Sequence, residues 1–139
     1  MKIDSFSGEY EFLSNFYPST VCDADGIAYP TVEHYFQAMK TVHLSERQKI
    51  AAAPTPGKAK YMGRHVFLRS DWNAIKVEVM RQGLKQKFSD KDLRKKLLAT
   101  GDAELIEGNW WHDTFWGMCD GIGENHLGKL LMEIREELK

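Results

Sequence analysis

The run Tyr29-Pro30-Thr31-Val32-Glu33-His34-Tyr35-Phe36-Gln37-Ala38-Met39-Lys40 holds three residues whose types and spacing suit chemistry on a polar substrate. Glu33, Gln37 and Lys40 stand at i, i+4 and i+7, so a helix places them on one face, while Val32, Tyr35, Phe36 and Met39 can turn to a core. Glu33 falls in the first turn, where the helix dipole favours the carboxylate anion. A carboxylate can stabilise a developing cation or activate water, and a neutral lysine can act as a nucleophile. The same spacing also describes an ordinary solvated stripe, and spacing alone does not separate the two readings.

A second group lies in Gly108-Asn109-Trp110-Trp111-His112-Asp113-Thr114-Phe115-Trp116-Gly117, where Trp110, Trp111 and Trp116 flank a single carboxylate, Asp113. Indoles can stack a base, worth roughly 1–3 kcal/mol per base. Equally, the loop can fold back and bury them as a small second core. A third group is Gly121-Ile122-Gly123-Glu124-Asn125-His126-Leu127-Gly128, a glycine-rich approach to a helix start that can offer N–H groups to a phosphate. It matches neither the P-loop nor the dinucleotide fingerprint, and a turn capped by Asn125 explains it as well. Lys58, Lys60 and Arg64 form the fourth group; they can clamp phosphate, or simply coat a surface helix.

Other chemistries find little support. His34, His43, His65, His112 and His126 form no HxxxH or HExxH pair, and Cys22 and Cys119 form no CxxC or CxxH motif. No metal or organic cofactor is therefore expected, and the thiols read as reduced. No Ser, His and Asp set stands in a recognisable nucleophile context. A formal net charge of -1 argues against a dedicated duplex-DNA binder, though not against contact with a nucleotide or a nucleic-acid end. No apolar run approaches a bilayer span and no signal-type leader is seen, so the expectation is a soluble, cytoplasmic protein without a membrane partner. The oligomeric state is left open.

The elements that must position these residues read as follows. The 139 residues fit one domain, residues 1–139, able to bury roughly two-thirds of its unfolded surface. The first thirty residues read as β: Tyr10 and Phe12 alternate with polar neighbours, and Ala24-Asp25-Gly26 predicts a hairpin turn between Val21 and Tyr29. Thr31 caps a helix to about Val42; Ser45 and Gln48 have capping-box spacing for the next, which ends before Pro54. Thr55-Pro56 opens a short helix that Gly63 suits as a stop. Asp71 caps a long helix over Trp72 to Phe88, with Val77, Met80, Leu84 and Phe88 on one face. Ser89 caps the next, through Leu93, Leu97 and Leu98. After a turn at Thr100-Gly101-Asp102 comes a short strand at Leu105-Ile106. The stretch from Gly108 to Glu124 reads as a long loop. Asn125 caps a final helix that buries Leu127, Leu130, Leu131, Ile134 and Leu138. The class is α+β, mostly helical with a small antiparallel β element.

Together these segments resemble the NADAR family of YbiA-like N-glycosidases over nearly the whole chain. The blocks that carry the resemblance occur in order: Phe12-Leu13-Ser14-Asn15-Phe16, Tyr29 to Phe36, Ala59-Lys60 with Met62-Gly63-Arg64, and Trp72. They continue with Leu98 to Asp102, then Asp113 with Phe115-Trp116-Gly117, and finally Asn125 to Gly128 with Leu131 to Arg135. Gly117-Met118-Cys119-Asp120 departs from the second glycine usual at this point, which bears on the shape of the phosphate-side loop.

The resemblance implies cleavage of a C–N bond between ribose and an amine. It implies two substrate classes: phosphorylated ribosylamino-pyrimidines of early riboflavin synthesis, and ADP-ribose linked to the guanine amino group in nucleic acid. Glu33, Asp113 and Trp116 match positions tied to activity. Asn15, Phe16, Tyr35, Lys60, Gly63, Arg64, Trp72, Gly117, Asn125 and Gly128 match blocks expected to bind substrate. Glu33 and Asp113 are the expected acid and base, in either order. Lys40 either forms a Schiff base with a ring-opened riboside or holds Glu33 ionised. The competing reading is a non-catalytic ADP-ribose or nucleotide-binding module, which would not need both carboxylates.

Overall fold

The structure, a computed structural model, describes residues 1–139 and is α+β. It resolves into two compact units: Asn15–Lys87, and Met1–Ser14 with Phe88–Lys139.

The unit Asn15–Lys87 starts with the antiparallel pair β1 (Pro18–Cys22) and β2 (Ala28–Thr31), with Val21 opposite Tyr29. The predicted hairpin turn is present. Asp23 Oδ1 accepts the N–H groups of Asp25 and Ile27, and Gly26 supplies the positive φ of 84° that the turn requires. Tyr29 Oη donates to Asp23 Oδ2 at 2.7 Å, which fastens the turn to its strand.

Helix α1 (Val32–Ala38) follows directly. Thr31 caps it as expected, its Oγ1 accepting the His34 N–H at 3.1 Å. The helix stops four residues short of the predicted Val42, because Thr41 is claimed from outside it: Arg47 Nε donates to the Thr41 carbonyl and Thr41 Oγ1 donates to Glu46. Helix α2 (Leu44–Ala51) begins before Ser45, which therefore lies within its first turn, and no side chain caps it.

Helix α3 (Pro56–Gly63) is capped by Thr55, whose Oγ1 accepts the Lys58 N–H. Gly63 does not act as a left-handed stop; the next residue, Arg64, is still right-handed. Helix α4 (Trp72–Lys87) buries Trp72, Met80, Gly83 and Leu84 against α1, with Val77 only half-buried. Asp71 contributes its carbonyl to the first turn, while its carboxylate takes the Arg69 guanidinium instead of capping.

In the other unit, Tyr10 and Phe12 lie in a 3-10 helix, Gly8–Leu13, rather than a strand. Alternation over so few residues also fits a tight turn, and Gly8 at φ 59° starts the bend. Helix α5 (Lys91–Ala99) is capped by Asp90, one residue after the predicted Ser89. Besides the antiparallel hairpin, two pairs of two-residue strands are parallel: β3 (Lys2–Ile3) with β4 (Glu104–Leu105), and β5 (Gly108–Asn109) with β6 (Met118–Cys119). Helix α6 (His126–Leu138) buries Leu127, Leu130, Leu131 and Ile134 as predicted, leaves Leu138 at its last turn only half-buried, and also buries Arg135, which donates to Thr100 Oγ1. No helix is long and apolar enough to cross a membrane.

Candidate functional site

All seven residues of α1 are buried, so the polar stripe read from the sequence is not a solvated face. Glu33 is 8% exposed and Gln37 4%. A buried carboxylate is costly unless hydrogen-bonded, and Gln37 Nε2 donates to Glu33 Oε2 at 2.6 Å across one helical turn. The Glu33 N–H donates to the carbonyl of Asn15, which ties the start of α1 to the segment before β1. His34, between the stripe and the core, is structural: one ring nitrogen meets Thr31 Oγ1 and the other the Ala53 carbonyl.

Lys40 lies in the turn after α1, half-buried, with Nζ 5.9 Å from the Phe36 ring centroid. Burial pulls its pKa below the ordinary lysine value; Glu33 pushes it back up, and Arg64, Lys60 and Lys76 pull it down again. Three cations, from α3, its C-cap and α4, thus act on Lys40 together with one carboxylate. Such a site favours an anionic ligand and lets a lysine lose its proton more easily.

In the other unit the loop from Gly108 to Glu124 is strongly cross-braced. Asp113 Oδ1 accepts the N–H groups of Phe115 (3.2 Å) and Trp116 (2.9 Å). The aromatic residues divide into two sets. Trp116 packs edge-on to Phe115, which lies against His126 at 4.4 Å between centroids, so this set forms a half-buried aromatic cluster. Trp110 and Trp111 meet edge to face and project outward, Trp110 with 82% of its surface exposed.

At the start of α6, where a phosphate site is expected, three backbone N–H groups are engaged within the unit. Asn125, His126 and Leu127 already donate their N–H groups to the carbonyls of Gly117, Phe115 and Trp116. Asn125 does not cap with its side chain; in the left-handed conformation it bridges two segments, accepting the Glu107 N–H and donating to the Leu105 carbonyl. Gly128 and Gly117 are sites of close approach: a Cβ would lie 2.1 Å from the Leu105 carbonyl oxygen or 2.0 Å from that of Glu107.

Comparison with known proteins decides the family. The NADAR domain model matches residues 4–139. The chain belongs to the NADAR family. It is 43% identical to the N-glycosidase YbiA of Escherichia coli (strain K12), over 96% of this chain and 85% of that one. It is 42% identical to an N-glycosidase of Nostoc punctiforme, over 94% and 86%. A riboflavin biosynthesis protein of Vibrio vulnificus is also 42% identical, over 92% of this chain and 35% of that longer one. The NMR structure of the E. coli protein YbiA superposes with a TM-score of 0.83 at 39% identity, covering 99% of this chain and 86% of the other. With NADAR membership goes the enzyme class: an N-glycosidase, a hydrolase of N-glycosyl bonds.

Within this NADAR fold the expected residues fall into distinct environments. Glu33, Lys40, Lys60 and Arg64 share the charged site beside α1, where Gly63 is buried against Gln37. Tyr35 of α1 packs on Tyr29, and Trp72 packs on Phe36 of α1; both are buried. Asn15 is buried with Oδ1 unpartnered, and its neighbour Phe16 is exposed. Lys76 was not singled out from the sequence. It stands one helical turn after Trp72, whose ring packs on Phe36 of α1, a contact distant in sequence that periodicity does not reveal.

Proposed function

We propose that the chain, acting as one domain of 139 residues, hydrolyses the ribose–amine C–N bond of a guanine-derived nucleotide, with Glu33, Lys40 and Asp113 as reacting groups and no metal or organic cofactor. The observation that carries this reading is the buried Glu33 carboxylate beside a desolvated Lys40, among Lys60, Arg64 and Lys76. The cations suit the substrate's phosphate. The carboxylate suits the positive charge that develops at the anomeric carbon.

A riboside of an exocyclic amine offers a covalent route. The ring oxygen leaves the anomeric carbon and takes a proton as a hydroxyl, and the amine nitrogen becomes an iminium. The neutral Lys40 Nζ adds to that carbon; the substrate amine then departs with a proton, leaving a lysine imine. Water adds to the imine, frees Lys40 and releases the sugar aldehyde, which recloses. The lowered Lys40 pKa supports this route, since only the free amine attacks.

The small-molecule substrate class is a ribosylamino-pyrimidine phosphate, in keeping with the riboflavin biosynthesis proteins among the relatives. The exposed Trp110 and Trp111 favour a second reading, guanine-linked ADP-ribose in nucleic acid, because indoles can stack neighbouring bases. The cytoplasm is the proposed place of action. The test is incubation with each substrate and identification of products by mass spectrometry. Release of a free pyrimidine with ribose phosphate, or of ADP-ribose with the guanine left in the nucleic acid, is expected, with a Glu33→Gln variant slower by at least about 10²-fold. Binding without release by the native chain would make it a nucleotide-binding module.

A further inference from the structure

We propose that Gln37 and Gly63 are positioning residues for Glu33: the glycine leaves room for the Gln37 side chain, and the side-chain amide orients the carboxylate and keeps it anionic. This rests on the reading of Glu33 as a reacting carboxylate. Gln37 Nε2 donates to Glu33 Oε2 at 2.6 Å, a short bond to a buried anion. One carboxylate oxygen is thereby placed, which sets the rotation of the whole group.

The other end of the amide explains Gly63. Gln37 Oε1 is buried and has no hydrogen-bond partner. It lies where a side chain on residue 63 would begin: a Cβ there would be 1.9 Å from Oε1, 2.8 Å from Cδ and 3.0 Å from Cβ of Gln37. The φ of Gly63 is not positive, so its backbone does not require glycine. A helical glycine costs about 1 kcal/mol relative to alanine, and what it provides here is space. The amide direction is also coupled to charge. Turned over, the amide would set its oxygen against the Glu33 carboxylate, a repulsive contact while that group is ionised. This direction suits the anion and leaves Oε1 unsatisfied. The sequence hides this, since Gly63 at the end of α3 reads as a helix stop.

Four variants test the proposal: Gln37→Leu, Gln37→Ala, Gly63→Ala and the double variant Gln37→Ala/Gly63→Ala. Folding is checked by circular dichroism and thermal melting. Gln37→Leu is expected to lower kcat by about 10- to 100-fold, the scale of a hydrogen bond to a charged group, with KM changed by less than about 3-fold. Losing a donor to the anion raises the Glu33 pKa, so the acid limb of kcat/KM should move to higher pH. Lys40, Lys60, Arg64 and Lys76, the cations of this site, are unchanged in these variants and do not account for the shift. Gly63→Ala should move kcat and the limb the same way, yet cost little more once Gln37 is alanine, because the obstructed side chain is gone. A folded Gln37→Leu enzyme with native kcat and an unmoved acid limb overturns the proposal. So does a Gly63→Ala effect that is undiminished in the Gln37→Ala background. If Gly63→Ala does not fold, Gln37→Leu alone decides. A Glu33→Gln enzyme with near-native turnover defeats the Glu33 reading itself; an inactive Glu33→Gln enzyme beside a native-like Gln37→Leu enzyme defeats only this inference.

Discussion

Asn109 and Asp113 hold each other by two bonds: Asn109 Oδ1 accepts the Asp113 N–H at 3.0 Å, and Asn109 Nδ2 donates to the Asp113 carbonyl at 2.8 Å. Asp113 passes the restraint on, since its Oδ1 accepts two further N–H groups, from Phe115 and Trp116. The carboxylate thus has a structural duty besides any chemical one, and an amide can perform only the first. Asp113→Asn keeps the oxygen acceptor but cannot give or take a proton. We expect it to fold normally, to keep KM within about 3-fold and to lose at least about 10²-fold in kcat. Steady-state kinetics decide; native turnover would leave Asp113 as a fastener of the loop.

The covalent route leaves a signature on Lys40. Borohydride added during turnover should reduce the imine and fix a ribosyl group on Nζ, which peptide mass mapping would locate. Lys40→Arg keeps the positive charge but supplies no free amine near neutral pH, and turnover should fall by at least about 10²-fold. The absence of an adduct under full turnover, together with an active Lys40→Arg enzyme, would exclude the route and leave Lys40 as an electrostatic partner of Glu33.

The pH dependence of Lys40 has a predicted sign. Its folded pKa lies below the ordinary lysine value because burial disfavours the ammonium. The rate of adduct formation should therefore rise with pH and level off earlier than for a free lysine. Neighbouring charges should move that limb in opposite directions. Arg64→Gln removes a repelling cation and raises the Lys40 pKa, while Glu33→Gln removes the attracting anion and lowers it. Labelling of Lys40 by an amine-reactive probe as a function of pH measures both, and shifts of the same sign would contradict the assigned neighbourhood.

Lys87, at the end of α4, is 0% exposed, and desolvation pulls its pKa down to about 7. The Tyr17 ring, its centroid 5.6 Å from Nζ, offsets part of that burial cost. Below about pH 7 the group is protonated whether the chain is folded or not, and the burial cost is fully present. From there up to the ordinary value of 10.5, the unfolded chain binds the proton that the folded chain has released, so this group's contribution to stability rises with pH. Lys87→Met should stabilise the protein by a few kcal/mol, on the order of 1–4, at pH 6, and the gain should shrink at pH 9.5. Urea unfolding at the two pH values checks this; a pH-independent effect would mean that Lys87 does not titrate in this range.

Local features of the chain were legible because they depend on neighbours in sequence. Thr31 and Thr55 cap their helices, Gly26 shapes the hairpin turn, and Leu127, Leu130 and Leu131 of α6 face inward, all through backbone preference, short-range hydrogen bonds and periodicity. The order of the blocks from Phe12 to Arg135 was enough to indicate the family, and with it the class of bond broken. The tertiary structure decided what is covered and what is exposed. Glu33 and Gln37 lie on the stripe their spacing predicts, but whether that stripe met water depended on α3 and α4, which come later in the chain and pack on α1. Asn125 reads as a cap, yet its amide serves Leu105 and Glu107, some twenty residues earlier. Burial, desolvation and the partners of polar groups are set by contacts distant in sequence. Periodicity places a side chain on a face of its own helix and does not say what will be laid over that face.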